Sequence, residues 1–235
     1  MPRFVLALLF LPSLALPSSA QAGERRVAIG SFDRLRVLGA FEIAVTTGSP
    51  GATVVGDPSA IADVDVRVEG TTLTIRTARA GTWREADQAR SATPLRILLS
   101  TPRLSAISVT GASKITAAQL KGASIDLAAM GAATISAAAV DGDRLAAQQV
   151  GEGRIALAGR VGTVRLFDGG TGTIDAVGLD AGDLTAHLDG PGTIRARARY
   201  TAQVTSTGLG TVEVAGRPKC RVMAPAGAPV TCGGG

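Results

Sequence analysis

A glycine turn that returns about every twenty residues constrains this chain more than any other feature. Its copies read "TGASKI", "MGAATI", "VGEGRI", "GGTGTI", "DGPGTI" and "TGLGTV". They centre on Gly111, Gly131, Gly151, Gly170, Gly190 and Gly208, at spacings of 20, 20, 19, 20 and 18 residues. A period of this length denotes a solenoid. Four residues after each glycine stand Ile115, Ile135, Ile155, Ile174, Ile194 and Val212. Four before it stand Ile107, Leu127, Ala147, Leu166, Ala186 and Val204, and six before it Ser105, Ile125, Leu145, Val164, Leu184 and Ala202. Apolar and polar positions alternate with the two-residue period of a strand. One copy cannot bury its apolar face alone, but copies stacked in parallel at ~4.8 Å can. The expected fold is therefore all-β: a single-domain parallel β-helix with rungs of about twenty residues. Small residues such as Ala117, Ala137, Ala176 and Ala196 suit its narrow core.

The repeat also disposes of two motif matches. "GEGRIA" at 151–156 fits the dinucleotide fingerprint G-x-G-x-x-G/A, with Asp175 beyond it. That turn must open a helix whose N-terminal amides face a pyrophosphate. Here "LAGRVGTV" follows, with Gly159 and Gly162 where the helix would run, and the motif is one of six equivalent turns. "GGTGTID" at 169–175 resembles a calcium-binding nonapeptide, but its aspartate falls one residue late and no tandem copies follow. No cofactor or metal is expected.

Near the start of the chain Arg3 is followed by the apolar run "FVLALLFLPSLAL" and then "PSSAQA". This is the pattern of a secretory signal peptide over 1–22, cleaved between Ala22 and Gly23. The apolar run is shorter than the ~20 residues a membrane span needs, so no transmembrane segment is expected after cleavage. The expected location is the periplasm or the cell surface. In such a compartment Cys220 and Cys232, the only cysteines, are expected to form a disulfide. Zinc ligation would have only these thiolates and the single histidine, His187, to draw on. The formal charge is +5 and the calculated pI about 10. The basic residues are scattered without interleaved aromatics, which gives nucleic-acid binding no support.

The first half is less regular but strand-like: "FDRLRVLGAFEIAVTTG", "ATVVGD", "ADVDVRVEGTTLTIRT" and "LRILLS" alternate between turn signals. The charged stretch 78–94, with the only tryptophan, Trp83, reads as a surface loop. The segments "FEIAVTTG", "VVGDPSAIADVDVRVEGTTLTI" and "PRLSAISVTGAS", with the G-x-G-x-I rungs ending in "VAGRP", resemble the autotransporter adhesin head domain family, also called the head GIN domain. The resemblance spans about residues 30–218. It implies a right-handed parallel β-helix, an exported bacterial envelope protein and no established chemistry. No run of amphipathic strands that could form a translocator barrel follows. The organisation expected is a signal peptide over 1–22 and a β-helix over 23–218, with irregular rungs to about 103 and regular ones over 104–216. A disulfide-closed cap and tail over 219–235 completes it.

Parallel β-helices also include polysaccharide lyases and hydrolases, whose chemistry needs carboxylates gathered on one outer face. The outward columns are Ala106, Asp126, Ala146, Arg165, Thr185, Gln203 and Ser108, Ala128, Gln148, Phe167, His187, Thr205. Neither stacks two carboxylates. Asp168 and Asp189 come closest to doing so, but both adjoin turn glycines, where aspartate serves local backbone bonding. His187 stands alone as a general base. The reading is thus no enzyme and no catalytic, cofactor or metal site. It is an exported, adhesin-like binding or scaffolding module that acts through its side faces on an envelope glycan or surface protein. The alternative is a carbohydrate-active β-helix enzyme. Asp175, Arg195 and Glu213 share one outward column and are expected to form an exposed charge ladder.

Overall fold

The computed structural model describes residues 23–78 and 95–234. The expected signal peptide and its cleavage site at Ala22, and the loop with Trp83, lie outside these residues. The fold is a β-solenoid with rungs of about 20 residues, its strands joined in one 16-stranded sheet. The strands of the first half are β1 (Gly23–Val27), β2 (Arg34–Gly39), β3 (Phe41–Thr47), β4 (Gly51–Gly56), β5 (Val64–Glu69), β6 (Thr72–Thr77) and β7 (Leu95–Thr101). A short helix, α1 (Pro58–Ala62), lies between β4 and β5. The regular rungs use β8 (Ala106–Gly111), β9 (Lys114–Gly131), β10 (Thr134–Val150), β11 (Arg154–Asp168), β12 (Thr173–Leu188) and β13 (Thr193–Ser206). The chain ends on β14 (Thr211–Gly216), β15 (Lys219–Met223) and β16 (Val230–Cys232).

Like residues stack on like along β9 to β13, in parallel register. Ile155 pairs with Ile135 on one side and Ile174 on the other, and all three are fully buried. The column extends further than the six repeats indicate, because Ile43 and Ile97 continue it beyond Ile115. A seventh copy of the rung, "RLRVLGAFEIAV", sits next to the first regular one although it lies 72 residues earlier. Leu35 stacks on Ile107, Val37 on Val109 and Gly39 on Gly111. Ser113 ties the two turns together: its hydroxyl donates to Gly39 O (2.9 Å) and accepts from Phe41 N–H (3.1 Å).

Stacking order therefore departs from chain order at this end. Strands β6 and β7 form the rung outside β2 and β3, pairing with them in parallel. On that outer rung lie antiparallel partners, β5 on β6 and β4 on β7, with β1 on β4. An open solenoid end exposes unpaired backbone groups that template edge-to-edge association, and antiparallel edge strands cover it. At the other end β15 pairs with β13, β16 pairs with β14, and the sulfurs of Cys220 and Cys232 are 2.08 Å apart. The bond ties the last strand of one face to the last strand of another.

Glycine is required where the turns stack. Gly151, the first glycine of "GEGRIA", adopts φ +112°, and a Cβ there would lie 2.7 Å from Gly131 O on the rung before. The chain beyond it continues as strand β11 and not as a helix.

Candidate functional site

The outward face formed by β6, β2, β8 and the later halves of β9 to β12 carries a groove of about 550 Å³. Its shape follows from side-chain size along two stacked columns. One runs Arg34, Ala106, Asp126, Ala146, Arg165, Thr185. The other runs Arg36, Ser108, Ala128, Gln148, Phe167, His187. Long side chains stand at both ends, and alanine or serine occupies most positions between. The middle of the sheet is thereby left as a trough, walled by Arg34 and Arg36 at one end and by Arg165, Phe167 and His187 at the other.

Three guanidinium groups and one carboxylate, Asp126, face this trough. None of Arg34, Arg36 and Arg165 forms an ion pair or side-chain hydrogen bond with another described residue. Several arginines elsewhere on the solenoid are compensated: Arg154 reaches Asp175 (2.8 Å), Arg195 reaches Glu213 (3.1 Å), and Arg160 and Arg199 both reach Asp180 (3.6 and 3.4 Å). Arg144 and Arg197 are uncompensated among the described residues, but they stand apart, whereas the groove gathers three such groups. The groove is thus a local excess of positive charge with hydrogen-bonding capacity unspent. At its far end the rings of Phe167 and His187 stack 5.5 Å apart and within 7° of parallel. Both are half-buried, and together they form a flat apolar wall with a polar rim.

The residues singled out in the sequence are distributed differently. The two columns read as outward do face outward, and all their members but the last, Gln203 and Thr205, line this groove. His187 is held against Phe167. Asp168 and Asp189 do not converge: Asp168 is fully buried inside the solenoid and Asp189 is exposed. They stand two and one residues before their turn glycines, so the alternation of a strand sends them to opposite sides. Local bonding explains both. Gly170 N–H donates to Asp168 Oδ1 (3.2 Å), and Thr207 Oγ1 donates to Asp189 (3.0 Å). Burial pushes the Asp168 carboxyl up to about 6, against the opposing effect of that Gly170 hydrogen bond. Beside Asp168 in the same inner column lies Gln149, also fully buried, whose amide oxygen and nitrogen find no partner among the described residues.

The charge ladder is partly as expected. Asp175, Arg195 and Glu213 do stack in register, and Arg195 pairs with Glu213. Asp175 instead takes Arg154, whose guanidinium donates from one rung earlier. Among the described residues no group of three or more His, Cys, Asp and Glu side chains could hold a metal ion, and no helix is long and apolar enough to cross a membrane.

The structure is similar to those of several bacterial proteins. One, described as a putative adhesin from Bacteroides fragilis NCTC 9343, is 20% identical, with a TM-score of 0.80 over 92% of this chain and 96% of that one. Another, described as a putative lipid binding protein from Parabacteroides distasonis ATCC 8503, is 17% identical, with a TM-score of 0.67 over 90% and 96%. A third, described as a putative adhesin from Parabacteroides merdae ATCC 43184, is 16% identical, with a TM-score of 0.60 over 91% and 96%. At these identities the likeness is one of fold. No curated protein matches the chain. The family described as putative auto-transporter adhesin, head GIN domain, matches residues 31–218, nearly the whole solenoid, and the chain belongs to that family.

Proposed function

We propose that this protein is an exported, non-catalytic binding module of the bacterial envelope, and that it holds an anionic surface molecule in the groove between Arg34–Arg36 and Arg165–Phe167. The observation that carries this reading is the gathering of three guanidiniums, without ion partners among the described residues, around a concave, partly aromatic surface. Such groups recognise carboxylate or phosphate bidentately and stack on planar faces. Hydrolysis or elimination on a saccharide needs a second acidic or basic group poised across the scissile bond. Among the described residues Asp126 has no carboxylate partner in the groove, and Asp168 is enclosed in the core, which favours binding over catalysis. Export is supported by the leader-like residues 1–22 and by the family's adhesin description.

The test is retention of the purified mature protein on bacterial envelope material. Arg36→Ala and Phe167→Ala should weaken binding about tenfold, the loss of ~1.4 kcal/mol. Arg160→Ala, on another face, should leave it unchanged. Higher ionic strength should weaken it further, because the steering field is screened within ~10 Å. Binding indifferent to the groove variants would refute the site, and depolymerisation of an acidic polysaccharide by the purified protein would refute the non-catalytic reading.

A further inference from the structure

The charges in the groove have an order as well as a sum. Along the first column the sequence is Arg34, Ala106, Asp126, Ala146, Arg165, so the signs run plus, neutral, minus, neutral, plus. Each step is one strand spacing of ~4.8 Å, which puts the two cationic ends ~19 Å apart with Asp126 midway. Arg36 doubles the charge at one end. Gln148 and Ser108 stand beside the centre in the neighbouring column, and the Phe167–His187 stack forms a wall at the other end.

Resting on the reading of the groove as a binding surface, we propose that its ligand is an acidic oligosaccharide lying along the solenoid axis, with charged sugars separated by neutral ones. The anionic groups meet Arg34–Arg36 at one end and Arg165 at the other. The neutral sugars between them offer hydroxyl donors to Asp126 and find further partners in Gln148 and Ser108. A pyranose ring has an apolar face, and Phe167 with His187 supplies a flat apolar surface for it. The rung spacing is comparable to the length of one sugar residue, so successive rungs address successive sugars. A polyanion charged at every unit is disfavoured, because it would place a negative group over Asp126. An acyl chain is disfavoured too, since it would cover Asp126 and Gln148 and strip their water without returning a hydrogen bond.

The probe is an oligosaccharide of deacylated gellan, a linear bacterial polysaccharide in which one glucuronate is followed by three neutral sugars, titrated calorimetrically into the mature protein. Binding is expected, and reduction of the glucuronate carboxyls should weaken it at least tenfold. Arg36→Gln, Arg165→Gln and Phe167→Leu should each weaken it about as much, with melting temperatures unchanged because all three side chains face outward. Asp126→Asn should reverse the selectivity: oligogalacturonate, charged on every sugar, should gain at least tenfold relative to the gellan fragment. Equal affinity for the carboxyl-reduced fragment, or no change of selectivity in Asp126→Asn, would overturn the proposal. So would phosphatidylglycerol vesicles binding through the groove where the saccharide does not. If envelope material still binds through the groove while the gellan fragment fails, the saccharide assignment falls alone. If neither binds, the groove as a binding surface falls with it.

Discussion

Asp168→Asn is expected to stabilise this protein at neutral pH, although it replaces a buried, hydrogen-bonded side chain. The carboxyl is enclosed in the solenoid, and its pKa is raised from 3.8 to about 6 by desolvation. Oδ1 accepts the Gly170 N–H, but Oδ2 has no partner among the described residues. Oδ2 and the carbonyl oxygens of Gly170 and Gly172 all lie within 2.9 Å of the point that a Cβ on Gly192 would occupy. Acceptors thus converge where a protonated carboxyl, or an amide, could donate. A group whose folded pKa is raised binds its proton more tightly when folded, so its stabilising effect is complete below pH 3.8 and is lost as pH climbs to about 6. At ~1.4 kcal/mol per pKa unit, the loss amounts to about 3 kcal/mol. Asparagine keeps the Oδ1 acceptor, supplies an N–H₂ donor and never ionises. The variant should therefore match the wild type near pH 4 and exceed it by up to ~3 kcal/mol at pH 7.5, or ~6–12 °C in melting temperature for a chain of this size. Subtracting the two stability–pH curves cancels Asp57 and Asp65. Their carboxyls are held low by hydrogen bonds to Ser59 and Arg76, and they act in the opposite sense, losing stabilisation as pH falls. A difference curve flat between pH 4 and 7.5, or a variant less stable than wild type at pH 7.5, would refute the argument.

Three further outcomes are expected. Ile155→Ala should cost ~2–5 kcal/mol in chemical denaturation, and Ile155→Asp should cost more because it places a charge among the methyl groups of Ile135 and Ile174; near-wild-type melting of the aspartate variant would contradict the inner-column assignment. A double-mutant cycle on Arg195 and Glu213, an exposed pair 3.1 Å apart, should return a coupling of ~0–1 kcal/mol that vanishes in high salt, and a larger, salt-insensitive value would show that the pair is better shielded than its exposure implies. Mature protein isolated from the periplasm should show no free thiols by mass spectrometry, and reduction of Cys220–Cys232 should lower stability by ~2–4 kcal/mol; two free thiols in the isolated protein would disprove the linkage.

The regular rungs were legible because one short-range rule, the glycine turn with apolar residues four before and four after, repeats without interruption. The same rule would have found the seventh copy. Gly39 has Leu35 four before it and Ile43 four after it, matching Ile107 and Ile115 around Gly111. The copy was hidden by the intervening residues that build the outer rung and its antiparallel cap, because sequence periodicity registers neighbours in the chain and not neighbours in the stack. The groove was missed for the same reason. Strand alternation sends its two columns outward, but the arginines that close one end come from β2 and can be placed only once β2 is known to lie beside β8. Asp168 was misplaced for a more avoidable reason. Val164 and Leu166 lie inside, so the two-residue period already put Asp168 inside with them and Asp189 outside. Proximity to turn glycines obscured that parity.

The same parity explains how one segment can hold the fold together and shape a site. In the closing stretch of β11, Val164, Leu166 and Asp168 fill the core while Arg165 and Phe167, between them, wall the groove. A slip of one residue would exchange the two sets, so core stacking fixes the groove's register to within one side chain. Distances along the groove are set by the strand spacing and not by the side chains that line it. Substitutions on the outward columns can therefore change which charges and ring faces are displayed without disturbing the ladder beneath. Arg34 and Arg165 remain four strand steps apart whatever occupies the positions between them, because backbone pairing holds them there. Length and spacing of a ligand are thus selected by the stack, and its chemistry by the columns.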